Sequence, residues 1–151
     1  QGPMLLKVPM GTALAACASV RPAPASLYGQ LGGAPMLEAI SARLIDGFAI
    51  SPDGSRAFDR VKLPRVKRGL EAFLCVLANG PCAYDGDDMQ RIHAGLRISE
   101  REFNALVEHL RQTLDALGVD PGAKHELLRR LAPMRRDIVT ATATHSLAPR
   151  G

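Results

Sequence analysis

Aromatic residues are scarce in this chain, which has no tryptophan, two tyrosines and four phenylalanines. It also lacks any convincing run of alternating apolar and polar residues, the pattern that is typical of a half-buried strand. Its many leucines and alanines instead favour helices packed on helices over a β-sandwich. We therefore expect an all-α fold, and with 151 residues a single domain.

Long apolar runs and clusters of one charge are missing as well. No stretch approaches the roughly 20 apolar residues that a membrane-spanning helix requires. The formal net charge is only +4, and the basic residues lie among acidic ones without interleaved aromatic side chains. A solvated surface explains this pattern better than a nucleic-acid interface does, so we expect no nucleic-acid partner.

The N-terminal region carries signals of processing and export. Residues 1–3 resemble the remnant of a cleaved tag. Residues 4–17 contain one positive charge, a short apolar stretch and the ending LAAC, which resembles the lipobox of bacterial lipoprotein signals. Cys17 is then the lipidation candidate, and residues 18–25 form a tether rich in proline, alanine and serine. These features predict a periplasm-facing lipoprotein anchored to the membrane by lipid; the alternative is an alanine-rich tail on a cytoplasmic protein.

The other two cysteines, Cys75 and Cys82, flank a turn marked by Asn79, Gly80 and Pro81. Such a turn could bring the two thiols together. In an oxidising compartment a disulfide would pin the end of a helix to the following loop, whereas in a cytosol both thiols would stay reduced. A metal site is less favoured, because the pair lacks a close CxxC spacing and no second pair exists.

Four long amphipathic helices are indicated by apolar residues at helical spacing. They cover about 35–49, a segment that begins near Pro64, about 99–117 and about 122–139. The proline at position 133 should kink the last of them, because it removes one backbone donor. We therefore expect a bundle of four helices with shorter segments between them.

Two residues at the start of the third long helix give a clear signal. Ser99 is followed three residues later by Glu102, and this spacing predicts a capping box that satisfies backbone donors at the helix start. Gly118 is expected to stop the same helix.

A single histidine, His93, lies in the segment MQRIHAGLRIS, on a short helical stretch between two long helices. From spacing alone, such a residue is more often a core histidine with a satisfied ring nitrogen than a metal ligand. The four helices could close around it to form a ligand pocket, but an ordinary helical core has the same pattern.

Four segments in this order resemble the truncated haemoglobins of group I: SLYGQLGG, FLCVLANGPCAYDG, MQRIHAGLRIS and FNALVEHL. The resemblance covers residues 26–139 and leaves residues 140–151 as a tail. It implies a truncated globin, a two-over-two helical sandwich around a haem. The leader and the cysteine pair resemble a branch of that group that is exported as a lipoprotein.

The resemblance also implies roles for particular residues. His93 corresponds to the iron ligand, and haem iron takes a neutral imidazole nitrogen while the other ring nitrogen donates to a carbonyl. Phe58 corresponds to a phenylalanine that wedges against the haem. Lys67 and the arginines near it could pair with the haem propionates, with a solvated helix face as the equal alternative. The other expected cofactor-binding positions are Leu44, Val66, Leu70, Phe73, Ile92, Ile98, Phe103, Leu106 and Val107.

The distal ligand pocket departs from the family pattern. Relatives usually hold oxygen with a tyrosine and a glutamine, but the corresponding positions here are Ile45, Val66 and Leu70, all apolar. Each missing donor should forfeit about 1–3 kcal/mol, so oxygen should leave at least about tenfold faster than from a tyrosine-bearing relative. Discrimination should shift towards carbon monoxide and nitric oxide, unless Tyr84 or Tyr28 lies closer to the iron than the alignment suggests.

Two further departures concern how the haem is held. Gly69 stands where some relatives supply a sixth ligand, which implies pentacoordinate iron. Met134 stands where some relatives have a histidine that bonds a haem vinyl group, which implies a non-covalent haem b. The resemblance thus implies reversible binding of O2, NO or CO with weak oxygen retention. A nitric oxide dioxygenase-type enzyme, which needs a reductase as partner, is the alternative, and a helical lipoprotein that has lost haem is a third.

Overall fold

The computed structural model describes residues 26–141, and these form seven α-helices. The predicted tag remnant, signal, tether and lipidation site, and nearly all of the predicted tail, lie outside the described residues. No helix within the described range has the length and apolar character needed to cross a membrane. The helices are α1 (Leu27–Leu31), α2 (Gly33–Ala49), α3 (Leu63–Leu77), α4 (Met89–His93), α5 (Glu100–Ala116), α6 (Pro121–Leu131) and α7 (Arg135–Ile138).

The long helices share one apolar core. Helix α2 packs against α3 and α5, and α6 packs against α1 and α5, so the apolar stripe of each helix faces another stripe. Burial of these stripes is the main source of the stability of such a fold. The core contains Leu27, Leu31, Leu37, Ile40, Leu44, Leu74, Ala78, Leu110, Leu114, Val119, Ala123 and Leu127.

Helix ends follow the local sequence signals. Ser99 and Glu102 form both hydrogen bonds of the predicted capping box at the start of α5, so this prediction is confirmed. Helix α2 begins at Gly33, two residues before the predicted start, because Gly32 adopts a left-handed conformation with φ of 112° that separates α1 from α2.

The last predicted helix is interrupted more strongly than expected. Helix α6 ends at Leu131, a 3₁₀ turn spans Ala132–Met134, and α7 continues from there. The interruption arises because Pro133 has no backbone N–H to donate and its ring crowds the preceding turn. The prediction of a single kinked helix over 122–139 was therefore wrong.

The all-α prediction is confirmed for the part of the chain that the structure describes, in which the one β-type contact is an isolated bridge. It joins Ile98 to Val139, next to a hydrogen bond of 3.1 Å from the backbone N–H of Thr140 to the carbonyl of Ile98. This bridge ties the loop between α4 and α5 to the end of α7.

A disulfide joins Cys75 and Cys82, whose Cα atoms are 6.0 Å apart. Cys75 is buried at the end of α3, and Cys82 is exposed in the loop that leads towards α4. Gly80 lies between them, where a Cβ atom would come within 2.6 Å of the Cys75 sulfur and 2.5 Å of the ring of Tyr28. The turn is therefore closed tightly enough that only glycine fits.

Candidate functional site

A cavity of about 860 Å³ opens among the helices of the described part of the molecule. It lies between α2, α3 and α5 on one side and α4 and α7 on the other. This volume falls within the range of about 300–1,000 Å³ that is usual for ligand and cofactor sites, and most of the lining is apolar. The apolar lining residues include Leu44, Ile45, Phe58, Val66, Leu70, Phe73, Met89, Ile92, Phe103, Leu106, Val107, Leu110, Leu131, Met134 and Ile138.

The cavity has one histidine in its wall, His93 at the end of α4. Its Nδ1 lies 2.8 Å from the carbonyl oxygen of Met89, one helical turn earlier. Because a carbonyl can only accept, Nδ1 carries a proton and donates, which leaves Nε2 as the nitrogen that a metal could bind in the neutral ring. A metal-binding imidazole requires this arrangement, in which a backbone oxygen holds Nδ1 and Nε2 faces the metal.

Helix α4 is short, and local contacts fix its two ends. The side chain of Asp88 caps its start by accepting from the backbone N–H of Arg91 at 2.8 Å. At its other end the N–H of Leu96 donates to the carbonyl of His93 at 3.0 Å. None of its own residues is buried, so packing alone does not hold it.

The wall facing the predicted distal pocket carries no polar side chain at its three key positions. Ile45 of α2 is 4% exposed, and Val66 and Leu70 lie one turn apart on α3 and are half-buried. All three line the cavity, and none has an N–H or O–H group in its side chain to donate. Gly69 also lines it and contributes no side chain.

Phe58 is positioned by a second phenylalanine. Its ring meets the buried ring of Phe48 edge to face at 6.1 Å, and Phe48 in turn packs against His109. Phe58 lines the cavity, whereas His109 does not. The loop after α2 thus presents an aromatic ring to the cavity from a rigid support.

Most of the predicted cofactor-binding positions lie together in this wall, but two do not. Lys67 lies outside the lining and pairs with Asp46 of α2. Its neighbours Arg65 and Arg68 line the cavity instead, because successive helical residues are rotated by about 100° about the axis. Ile98 is buried, but it also lies outside the lining, beneath the bridge to α7.

Several lining residues were not predicted from the sequence as site residues. Leu131, Met134 and Ile138 close the cavity from the chain after Pro133, and the apolar spacing of that region was the available signal. Tyr84, by contrast, lies in a loop, where no periodicity points to a wall position. Its ring packs edge to face on Phe73 at 5.6 Å.

The mouth of the cavity is polar and carries both positively and negatively charged side chains. Arg65 and Arg68 of α3 lie on one side, and Asp85 and Asp87 lie in the loop before α4. Burial raises the pKa of the Tyr84 hydroxyl, and the nearby carboxylates, Asp87 first among them, raise it further. That hydroxyl therefore stays protonated, and it donates to the carbonyl of Asp87 at 2.7 Å.

The site fits a flat, largely apolar prosthetic group that brings its own metal ligands. Residues 26–141 contain no group of three or more histidine, cysteine, aspartate or glutamate side chains that could hold a bare metal ion. The wall offers a single neutral imidazole nitrogen in an apolar cavity of suitable size, with cationic side chains at the mouth. Haem has these needs: one axial nitrogen, apolar contact for the ring and cations for its carboxylates.

The comparisons with known proteins agree with this assignment. The model of the family described as bacterial-like globin matches residues 26–140. Group 1 truncated haemoglobins called GlbN are similar: that of Mycolicibacterium paratuberculosis is 29% identical, over 80% of this chain and 88% of its own. That of Nostoc commune is 28% identical, over 76% of this chain and 97% of its own.

A solved structure shows the same fold. The truncated haemoglobin of Tetrahymena pyriformis in its Fe(III) form superposes with a TM-score of 0.73 at 24% identity, covering 76% of this chain and 98% of that one. Because the family model spans more than half of the chain, the family is established. The chain belongs to the bacterial-like globin family and is a group 1 truncated haemoglobin, with the two-over-two globin fold and the haem-based gas binding of that family.

Proposed function

We propose that the chain binds a diatomic gas reversibly at a pentacoordinate, non-covalently held haem b, and that its distal pocket retains oxygen weakly. Haem, when bound, would supply an iron atom that binds O2, NO or CO. The observation that carries the proposal is that Ile45, Val66 and Leu70 line the cavity and are all apolar.

His93 is the proposed axial ligand. Its Nδ1 donates to the carbonyl of Met89, so the ring orientation is set before haem enters and Nε2 is available to the iron. Arg65 and Arg68 at the mouth are the proposed partners of the haem propionates, a role for which a guanidinium is well suited.

Neither of the two tyrosines of the chain replaces the missing donors. The hydroxyl of Tyr84 is already committed to the carbonyl of Asp87 at 2.7 Å. Tyr28 lies outside the lining and packs beside Gly33 and Gly80. Neither tyrosine therefore provides the hydrogen-bond donor that stronger oxygen retention would require.

Further features support the proposed coordination state and the proposed mode of haem attachment. Gly69 has no side chain with which to fill the sixth position, so that position stays open to a gas. His93 is the one histidine among the described lining residues, and iron coordination uses it. Cys75 and Cys82 are bonded to each other, and Met134 lies in the wall without a nucleophilic nitrogen. These residues support the proposed non-covalent retention of haem b.

The nitric oxide dioxygenase-type alternative places different demands on the same pocket. It requires oxygen to stay long enough to react and a reductase to restore ferrous iron. The apolar distal positions disfavour the first requirement, because each missing donor forfeits about 1–3 kcal/mol. A measured oxygen dissociation rate therefore decides between binder and enzyme.

The test compares ferrous wild-type protein with Ile45→Tyr and Ile45→Phe. The phenylalanine variant adds the same ring without the hydroxyl, so the ratio of the two rates isolates one hydrogen bond. We expect rapid oxygen loss from the wild type, and loss at least about tenfold slower from Ile45→Tyr than from Ile45→Phe. Slow loss from the wild type, or equal rates in the two variants, would overturn the donor-free pocket.

We also propose the predicted periplasm-facing location, with the chain anchored by lipid through Cys17. The Cys75–Cys82 disulfide supports it, because disulfides persist in oxidising compartments and are rare in the cytosol.

A further inference from the structure

Arg56 lies in the loop after α2, two residues before Phe58, and its guanidinium holds three separate partners. Nε and Nη2 donate to the carboxylate of Glu102 at distances of 2.8–3.0 Å. Nη1 donates to the carbonyl of Leu96 at 3.0 Å, and Nη2 donates to the carbonyl of Arg97 at 3.3 Å. The planar guanidinium thus joins three segments of the chain with one side chain.

The two carbonyls belong to the chain directly after His93. The N–H of Leu96 donates to the carbonyl of His93. Leu96, whose own carbonyl accepts from Arg56, is therefore hydrogen-bonded directly to the backbone of His93. Arg97 has φ of 50°, a left-handed conformation that residues other than glycine rarely adopt. A backbone in that conformation persists only where its surroundings hold it.

The segment has few other supports. Helix α4 buries none of its residues, and its main packing partner among the described helices is α7. The bridge from Ile98 to Val139 fixes the far end of the loop. Between that bridge and His93, the hydrogen bonds that the rest of the described chain makes to the backbone are the two from Arg56.

Glu102 makes the arrangement rigid. Burial raises the pKa of its carboxyl, but the hydrogen bonds from Arg56 and from Ser99 outweigh burial and hold that pKa below its usual value. The carboxylate is therefore ionised near neutral pH. It is also the capping residue of α5, so Arg56 is anchored on the start of a long, well-packed helix.

We propose that Arg56 is a positioning residue for the haem site: by holding the carbonyls of Leu96 and Arg97, it sets where His93 stands relative to the loop that carries Phe58. The inference rests on the proposed function, in which His93 is the axial ligand. Arg56 itself touches neither the cavity nor the haem position.

A neighbouring ion pair provides the matched control. Arg101 of α5 pairs with Asp53 of the same loop at 3.4 Å, so it joins the same two elements as Arg56 and Glu102. It touches no carbonyl after His93, and the side chain of Arg101 is 87% exposed. Loss of this pair removes one loop-to-helix contact and leaves the His93 segment untouched.

The experiment compares Arg56→Gln, Arg56→Lys and Arg101→Gln in the haem-loaded full chain. The readouts are the iron–histidine stretching band of the ferrous form and the rate of haem transfer to an excess of an acceptor protein. We expect Arg56→Gln to shift or broaden the band and to speed haem loss by about 10–100-fold, the usual effect of removing an outer-shell partner. Arg101→Gln should leave both unchanged.

Arg56→Lys distinguishes positioning from mere charge. An ammonium keeps the charge but cannot hold one carboxylate and two carbonyls in a plane, so we expect the lysine variant to resemble Arg56→Gln. A lysine variant with the wild-type band and wild-type haem loss would overturn the proposal. Equal effects of Arg56→Gln and Arg101→Gln would overturn it as well.

Hydrogen exchange in the haem-free chain tests Arg56 independently of the function. The amides of residues 93–98 should exchange faster in Arg56→Gln and Arg56→Lys than in Arg101→Gln; equal exchange in all variants would contradict the proposal. His93→Gly tests the other assumption, because an iron–histidine band that persists in that variant means that His93 is not the ligand. The proposed function then fails, whatever the exchange result for Arg56.

Discussion

The two sides of the cavity are held in place by different forces. On one side, α2, α3, α5 and α6 share an apolar core in which Leu37, Ile40, Leu74, Leu114 and Leu127 are almost completely buried. On the other side, α4 buries no residue and depends on single hydrogen bonds and on its contact with α7. The wall with the proposed distal positions is therefore part of the core of the fold, whereas the segment with His93, the proposed axial ligand, is attached to that core by polar contacts.

We expect haem to stabilise the two sides unequally. Ile92 and Met89 of α4 line the cavity, and Ile92 is 44% exposed. A prosthetic group in the cavity would cover such side chains and give α4 the apolar contact that the protein alone does not provide. Because ligand binding to the folded state adds stability, haem should stabilise α4 more than it stabilises the long helices.

The largest loss of unfolding free energy is expected from a substitution in the apolar core on the first side. Leu127 of α6 has no exposed surface, so Leu127→Ala should lower the free energy of unfolding of the haem-free chain by about 2–5 kcal/mol. Ile92→Ala is the matched change on the other side, and we expect a loss of unfolding free energy of at most about 0.5 kcal/mol, because nearly half of this residue is exposed. Urea unfolding followed by circular dichroism measures both. A similar loss in the two variants would mean that α4 is packed even without haem.

The disulfide connects the two sides and should give the next largest effect. It ties buried Cys75 at the end of α3 to Cys82 in the loop that leads to α4. The loop that it closes is short, so its reduction should cost about 2–3 kcal/mol of unfolding free energy through chain entropy.

Urea unfolding with and without a reductant measures the effect of the disulfide. The double variant Cys75→Ala with Cys82→Ser is the control, and its stability should not respond to the reductant. Equal stability of the wild type in both conditions would show that the bridge contributes nothing to the fold.

The sequence predicted the core side well and the α4 side only in part. Apolar spacing placed the long helices within a few residues, except for the end of the last one, because the stripe that identifies a helix is also the surface that it buries. Resemblance, not spacing, singled out His93. The arrangement around Arg56 was not predictable, since Arg56 and Glu102 are 46 residues apart in sequence and only the folded chain brings them together. Lys67 was expected at the site together with the arginines near it, but Arg65 and Arg68 line the cavity and Lys67 does not. The apolar stripe does not fix the rotation of α3 closely enough to separate adjacent residues.

The smallest effect is expected from a polar cluster on the core side, where apolar burial already holds the helices. Glu126 of α6 accepts from Arg129 and Arg130, and these hydrogen bonds lower the pKa of its carboxyl from 4.5 to about 2. Arg130 also donates to the carbonyl of Leu77 at 2.8 Å, so the cluster links α6 to the end of α3.

Since the pKa of the Glu126 carboxyl is lower in the folded state, the stabilisation from this cluster is complete above about pH 4.5 and is lost as the pH falls towards about 2. Unfolding measured across that window should show a smaller loss of stability in Glu126→Gln than in the wild type, because the amide cannot titrate. The difference should be modest, as the cluster faces solvent and is screened. An identical pH dependence in the two proteins would mean that this carboxyl titrates alike in the folded and unfolded chain, and that polar contacts on the core side add nothing to its packing.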